Sequence, residues 1–420
     1  MRFLATLALS SLANRRGTAA LTIFAIAVSV TLLLGVEKIR TEAKASFANT
    51  ISGTDLIVGA RSGEIPLLLY SVFRIGDATN NISWQSYREI AAHPQVAWTI
   101  PLSLGDSFRG FRVLGTNLDY FRHYRFGRDR SLVFAAGAPF DDVFDAVLGA
   151  DVAEAFGYRV GDEIVVAHGL GEIGLQRHDD KPFRITGILE RTGTPVDRTV
   201  HVSLEGIEAI HVDWRGGRQM PGTTFSAEAV RTMDLRPQAV TAFLVGLESR
   251  FATFEVQRFV NEYPAEPLLA ILPGAALQGL WSLMGTAERA LAIVAGFVVL
   301  IGFVCMVTML LASLKERRRE MAVLRAVGAG PRHIFALMLG EAAILTAAGL
   351  AAGLGLLYVG LACARPIVKD AYGLTIAISA PGERDLALIA LVFLAGLLAG
   401  VLPAWRAYRT SLADGISLRT

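Results

Sequence analysis

The sequence has few cysteines and few charged residues for its length. Only two of its 420 residues are cysteine, Cys305 and Cys363, which excludes a disulfide framework. Charged residues make up 19% and hydrophobic residues 53%, a balance too apolar for an ordinary soluble protein and too charged for a bare membrane bundle. A net charge of +2 gives no electrostatic basis for binding nucleic acid. We therefore expect membrane spans together with a water-facing domain.

The sequence also lacks the motifs of common catalytic sites. The phosphate-binding pattern GxxxxGK[ST] does not occur, so a P-loop for nucleotide is excluded. The patterns GxSxG and HExxH and paired CxxC motifs do not occur either, which argues against a hydrolase. We expect a chain that is not an enzyme and binds no cofactor of its own.

Long apolar runs are what the sequence has instead. Four of them are long enough to cross about 30 Å of hydrocarbon as helices. They occupy residues 17–37, 288–314, 334–362 and 385–403. Residues 38–285, between the first and second runs, are of mixed polarity and too numerous for a loop. The sequence thus predicts a membrane α-helical fold with four transmembrane helices and a large extracytoplasmic domain between helices 1 and 2.

Three clusters of basic residues flank these runs, and all three fall on one side of the membrane if there are four spans. Cytoplasmic segments of membrane proteins carry an excess of lysine and arginine, so this side is predicted to be cytoplasmic. It includes residues 315–333 and the tail 404–420, whereas residues 38–285 and the short loop 363–384 lie outside. The basic residues are Arg15, Arg16, Lys315, Arg317, Arg318, Arg319, Arg325, Arg332, Arg406, Arg409 and Arg419.

Residues 1–16 have the pattern of an amphipathic helix lying in the membrane surface, with Phe3, Leu4 and Leu7 on one face. The alternative is that a charged start followed by an apolar run forms a cleaved signal peptide. The apolar run is longer than the usual signal sequence, and cleavage would leave three spans with their ends on opposite sides. We therefore favour a lateral helix followed by an uncleaved first span.

The loop after the second span reads KERRREMAVLRAVGA over residues 315–329. Met321, Leu324 and Val327 are spaced to form one apolar face of a short helix, and Gly328 would end it. Charge alone favours a solvated anchor at lipid headgroups.

The order of residues in this loop closely resembles the signature between the second and third spans of MacB/FtsX-family permeases. The start, ALSSLANRRGTAALTIFAIAVSVTLLL, and the end, LPAWRAYRTSLADGISLR, are also similar to that family. The resemblance implies that the loop is a coupling helix that docks on a cytoplasmic ATPase. The candidate docking residues are Glu316, Arg317, Arg319, Glu320, Met321, Leu324 and Arg325.

The resemblance also implies partners and a location. It predicts a multi-pass protein of the bacterial inner membrane that pairs with a second permease chain, a homodimer, and with an ABC ATPase dimer holding ATP and Mg²⁺. A periplasmic partner protein is a further expectation. The implied function is to couple ATP hydrolysis to motion of the outer domain for efflux or for handling substrates in the periplasm or outer leaflet. The alternatives are a signalling scaffold that activates a periplasmic enzyme, a lipoprotein-releasing permease, or a component of a zinc-linked transport system.

The third and fourth spans contain an acid and glycine pairs. Glu341 is an acid within a span, where ionisable groups are costly, and it serves either structural anchoring or transport. The pairs Gly349–Gly353 and Gly396–Gly400 are small-xxx-small motifs that permit close helix contact, within one subunit or between two.

The outer domain alternates strand-like and helix-like stretches. Residues 55–60 and 241–247 read as strands, and residues 83–96 and 251–263 as helices. By resemblance the domain is an α+β, MacB-like periplasmic domain, in which residues 54–101 and 236–273 form porter-like parts and residues 102–235 form a β-rich insert.

One polar segment of this domain has residue types that bind metals. His178, Asp179 and Asp180 are adjacent, and His168 lies ten residues before the first of them. A solvated polar loop explains the same residues without a metal. Both interpretations stay open from the sequence.

Overall fold

The structure is a computed structural model that describes residues 8, 10, 12, 15–168, 180–215, 218–219, 225–316, 318–372 and 379–409. Two units are present. One unit comprises the described parts of residues 1–43, 284–367 and 376–420, and the other those of residues 44–283 and 368–375. We call them the membrane unit and the outer unit.

The helices, numbered in chain order, are α1 (Arg16–Ala48), α2 (Glu64–Leu68), α3 (Trp84–Ala91), α4 (Asp119–His123), α5 (Ala150–Phe156), α6 (Leu204–His211), α7 (Ala227–Arg231), α8 (Thr253–Asn261), α9 (Pro273–Glu316), α10 (Arg318–Ala326), α11 (Pro331–Tyr372) and α12 (Glu383–Arg409). A π-helical turn, Leu69–Phe73, continues α2, and 3₁₀ turns occur at Pro195–Arg198 and Arg250–Ala252.

The strands are β1 (Leu56–Ala60), β2 (Ile82–Ser83), β3 (Val96–Phe108), β4 (Phe111–Thr116), β5 (Arg125–Phe126), β6 (Arg130–Ser131), β7 (Phe134–Gly137), β8 (Asp145–Leu148), β9 (Glu163–Ile164), β10 (Ala167–His168), β11 (Phe183–Leu189), β12 (Thr199–Ser203), β13 (Trp214–Arg215), β14 (Arg218–Gln219), β15 (Ala239–Val240), β16 (Ala242–Leu247) and β17 (Leu268–Ile271).

Four of the described helices are long and apolar enough to cross a membrane. They are α1, α9, α11 and α12, with mean hydropathies of 2.5, 2.9, 2.0 and 2.6 over an 18-residue stretch of each. The predicted fold of four membrane helices with a large domain between the first two is therefore confirmed. Helices α1 and α9 extend beyond the predicted spans, to Ala48 and back to Pro273, because hydropathy locates only the apolar part of a longer helix.

Helix α11 approaches α1 closely at two glycines. A Cβ atom at position 349 would lie 2.5 Å from Ile26 Cγ2, and one at position 353 would lie 2.8 Å from the carbonyl oxygen of Ala27. The hydroxyl of Thr31 donates a hydrogen bond of 2.9 Å to the carbonyl oxygen of Gly353. Small residues let the two backbones approach closely, which is how helices pack within lipid.

Helix α12 packs against α11 in the same manner. A Cβ atom at position 396 would lie 2.6 Å from Thr346 Cγ2, and one at position 400 would lie 2.5 Å from Ala342 Cβ. Both glycine pairs named from the sequence therefore make contacts inside one subunit. Helix α11 therefore packs against α1 with one face and against α12 with another.

Charged side chains connect the helix ends opposite the arginine-rich loop. Arg40 pairs with Glu37 at 2.7 Å and with Glu288 at 3.6 Å. Arg384 pairs with Glu37 at 3.4 Å. These ion pairs join α1 to α9 and α12 within the membrane unit. Isolated exposed pairs add little stability, but a partly buried network of three or more charges contributes more.

The outer unit is built on a mixed sheet with the strand order β17-β1-β16-β3-β4-β12-β8-β11-β7. Strand β3 pairs with β16 at Leu102↔Ala242 and with β4 at Ser103↔Gly115. The boundary predicted between residues 101 and 102 thus falls within one continuous strand. The porter-like and insert parts share a single sheet, because β3 is long enough to pair with a different strand along each half.

Side chains of the first strand alternate between two cores, as the pleat requires. Ile57 belongs to a core with Leu67 from α2. Val58 belongs to a second core on the other face, which includes Val256 and Val260 of α8. Helix α8 is therefore fixed to the sheet by one side only.

We predict that replacing Gly353 with leucine destabilises the membrane unit. The added side chain would meet the backbone of α1, and overpacking of this kind costs about 1–3 kcal/mol. The thermal unfolding midpoint of the purified protein should fall.

The matched control is Gly355→Leu on the same helix, because nothing lies within 4 Å of a Cβ atom at position 355. Equal midpoints for the two variants would show that the contact between α11 and α1 is not as described.

Candidate functional site

The loop between the second and third spans contains a short helix with a defined end. Helix α10 covers Arg318–Ala326, and the backbone turns at Gly328 with φ of +104°, a conformation that favours glycine. The amide of Ala329 donates to the carbonyl of Leu324 at 2.9 Å, and the amide of Gly328 donates to that of Arg325 at 3.1 Å. These two bonds form a Schellman cap, which satisfies the last carbonyls of the helix.

The apolar residues of this loop lie on different sides of it. Met321 is 7% exposed and packs with Ile334 and Ala404, which belong to α11 and α12. Val323 is 56% exposed and Val327 84% exposed. The single face predicted for Met321, Leu324 and Val327 is therefore divided. Residues spaced by three drift around a helix that has about 3.6 residues per turn, so Val327 lies on a different side from Met321.

The other predicted docking residues vary in how far the structure describes them. Leu324 and Arg325 are half-buried. Leu324 packs against the cluster around Met321, and Arg325 is engaged in a further interaction. The backbone alone is described for Glu316, Arg319 and Glu320, and Arg317 lies outside the described residues. The docking role of this set stays a prediction.

Glu341 lies on α11 and is only 2% exposed. Its neighbours in sequence, Met338 and Ala342, belong to two of the apolar clusters of the membrane unit. Glu341 takes part in a further interaction within the chain. This placement fits an anchoring role, and a role in transport stays a prediction.

The proposed metal ligands are not brought together among the described residues. Asp180 forms an ion pair of 3.1 Å with Lys181, which pairs in turn with Asp213 at 2.8 Å. Both Lys181 and Asp213 are fully buried. The described carboxylate of Asp180 thus lies against an ammonium group that it shares with Asp213. His178, Asp179 and the side chain of His168 lie outside the described part of the chain, so the metal hypothesis stays a prediction.

Two features of the membrane unit were not predicted from the sequence. One is the outward position of Val323, which shares the exposed side with Val327 four residues later. The spacing of these two valines could have indicated it, since residues at i and i+4 lie on one helix face. The other is the ion-pair network around Arg40, which brings in Glu288 and Arg384 from distant parts of the sequence.

Comparison with known families identifies the chain. The family described as MacB-like periplasmic core domain matches residues 19–242, which is more than half of the chain. The chain belongs to the MacB/FtsX family of ABC transporter permeases. The family described as FtsX-like permease C-terminal matches residues 292–412 of the permease, a range that contains α10, α11 and α12. Among curated proteins, none matches the permease.

Two solved structures are similar to the permease at low identity. The periplasmic region of MacB from Actinobacillus actinomycetemcomitans is 11% identical, with 58% of this chain and 96% of that chain covered and a TM-score of 0.34. The extracellular domain of the ABC-type transporter YknZ from Gram-positive bacteria is 13% identical, with 52% and 99% covered and a TM-score of 0.31.

We predict that Met321 and Val327 respond differently to the same substitution. Met321→Asp would place a charge among buried apolar side chains and should cost about 2–5 kcal/mol of stability. Val327→Asp would place the charge in solvent and should leave the unfolding midpoint within the error of the wild-type value. A lowered midpoint for Val327→Asp, or an unchanged one for Met321→Asp, would contradict the placement of α10.

Proposed function

We propose that this permease transmits motion between a separate cytoplasmic ATPase dimer and its own periplasmic domain. Two permease chains pair in the bacterial inner membrane, and the coupling helix α10 of each docks on one ATPase subunit. ATP and Mg²⁺ are held by the ATPase, and no residue of the permease is catalytic. Motion of the periplasmic domain then serves efflux or the handling of a substrate in the periplasm or outer leaflet.

The division of α10 into a buried and an exposed side is the observation that carries this proposal. Its exposed side presents Val323 and Val327, which no described residue covers, beside the arginine-rich segment. A partner protein gains affinity by burying such apolar side chains and selects its target through the flanking charges. The buried side of α10 packs against α11 and α12 through Met321. A displacement of α10 therefore displaces α11 and α12.

The contacts between spans extend this path. Helix α11 touches α1 at Gly353 and α12 at Gly396, and α1 is joined to α9 by the hydrogen bond of 3.0 Å from the Ser29 hydroxyl to the carbonyl of Val298. Helices α1 and α9 are the two that flank the periplasmic domain in sequence. Close-packed helices move as rigid bodies between discrete arrangements, which is what transmission requires.

We predict that Val327→Asp abolishes capture of the ATPase. Losing an apolar anchor at the centre of an interface costs at least about 2 kcal/mol, which corresponds to roughly 30-fold weaker binding. The measurement is co-purification of the ATPase with tagged full-length permease from membranes in which both are expressed.

The control is Val160→Asp, which changes an exposed valine of the periplasmic domain and should leave capture unchanged. If Val327→Asp captures the ATPase as well as the control does, α10 is not the docking element. ATP turnover in vesicles then separates two uses of the same motion. Flux of a substrate supports efflux, whereas ATP-dependent activation of a periplasmic partner without flux supports the scaffold alternative.

A further inference from the structure

Helix α8 of the periplasmic domain presents aromatic side chains to solvent. Phe254 is 71% exposed and Phe259 40% exposed, and Phe251, one turn before the helix, is fully exposed. The rings of Phe254 and Phe259 border a shallow depression of about 480 Å³ that is also lined by His93. Scattered apolar side chains are normal on a surface, but three exposed phenylalanines on and just before one helix indicate a contact surface.

The opposite side of α8 explains why these rings point outward. Val256 and Val260 are fully buried against the sheet, and Gln257 donates a hydrogen bond of 3.1 Å to the carbonyl of Ala270. The rotation of the helix about its axis is therefore fixed. The outward face comprises Phe251, Phe254, Glu255, Arg258, Phe259 and Glu262.

When two copies of this face run antiparallel, charged residues meet residues of opposite charge and phenylalanines meet phenylalanines. Residues 254–259 read Phe-Glu-Val-Gln-Arg-Phe. Two antiparallel copies centred between residues 256 and 257 bring Glu255 level with Arg258 of the second copy, and Phe254 level with Phe259 of the second copy. Each copy supplies one carboxylate and one guanidinium to the other, and the rings flank the two charge pairs.

The charges on this face are available for such pairing. Neither Glu255 nor Arg258 forms an ion pair with any residue in the described part of the chain, and both are exposed. The same spacing of glutamate and arginine occurs on α7, at Glu228 and Arg231. There Arg231 pairs with Asp142 at 3.0 Å, and its hydrogen bonds hold the pKa of Asp142 below the ordinary value. The arginine of α7 is thus paired within the chain, whereas the glutamate and arginine of α8 form no ion pair with a described residue.

We propose that the periplasmic domains of two copies of the permease pair through α8 across a twofold axis. An interface between identical subunits related by such an axis has each residue contact a residue that contacts it in return, which the reversed sequence of α8 provides. The proposal rests on the pairing of permease chains proposed above and assigns a specific surface of the periplasmic domain to it.

The test is photo-crosslinking of full-length permease in membranes. The photoreactive amino acid p-benzoylphenylalanine replaces Phe254 and keeps an aromatic ring at that position. Illumination should link two permease copies. The same amino acid in place of Phe156, another exposed phenylalanine of the domain, should give at least fivefold less product.

Charge reversal makes the test specific to the predicted pairing. In a copy carrying Arg258→Glu, like charges face each other, and the product from position 254 should fall at least fivefold. In a copy carrying Glu255→Arg the same loss is expected. Co-expression of the two variants places arginines opposite glutamates and should restore the product, which also shows that both variants fold.

Several results would overturn the proposal. They are no product between copies at position 254, a product equal to that at position 156, or no recovery in the mixed pair. Crosslinking at position 254 to a different protein or to lipid in place of a second copy would also overturn it. Capture of the ATPase by the same samples separates the two proposals. If capture persists without a product, the surface assignment fails and the coupling function stands.

Discussion

The close approach of α11 to two neighbouring helices is the contact on which the membrane unit depends. Lipid chains are as apolar as leucine, so the hydrophobic effect does not hold spans together, and close packing must do so. Gly349 and Gly353 allow α1 to approach α11 closely, and Gly396 and Gly400 on α12 allow α11 to approach α12 closely. The same helix α11 begins five residues after α10 ends and shares an apolar cluster with it. A force applied at α10 therefore acts on one connected set of helices.

A second constraint acts in the periplasmic domain. Strand β3 pairs with β16 along its first half and with β4 along its second. The ladder bonds of the two parts thus lie on either side of residues 102 and 103, and the backbone of β3 is the continuous connection between them.

Much of this architecture follows from local patterns in the sequence. The four spans are uninterrupted apolar runs, α3 and α8 have clear helical periodicity, and β1 and β16 are short continuous apolar runs. The limits of local reasoning are equally specific. The burial of Met321 depends on its contacts with α11 and α12. The ion pair of Lys181 with Asp213 and the helix partner of each glycine depend on contacts distant in sequence, which no local pattern encodes.

If motion at α10 reaches the periplasmic domain, the distance between the two periplasmic domains of a permease pair should report it. A nitroxide attached at Glu228→Cys, with Cys305 and Cys363 replaced by serine, reports the separation of two copies by pulsed electron resonance. We expect ATP to shift this distance distribution in the complex with the ATPase, and Val327→Asp to remove the shift. An unchanged distribution in a complex that hydrolyses ATP, or a full shift in the Val327→Asp variant, would contradict this expectation.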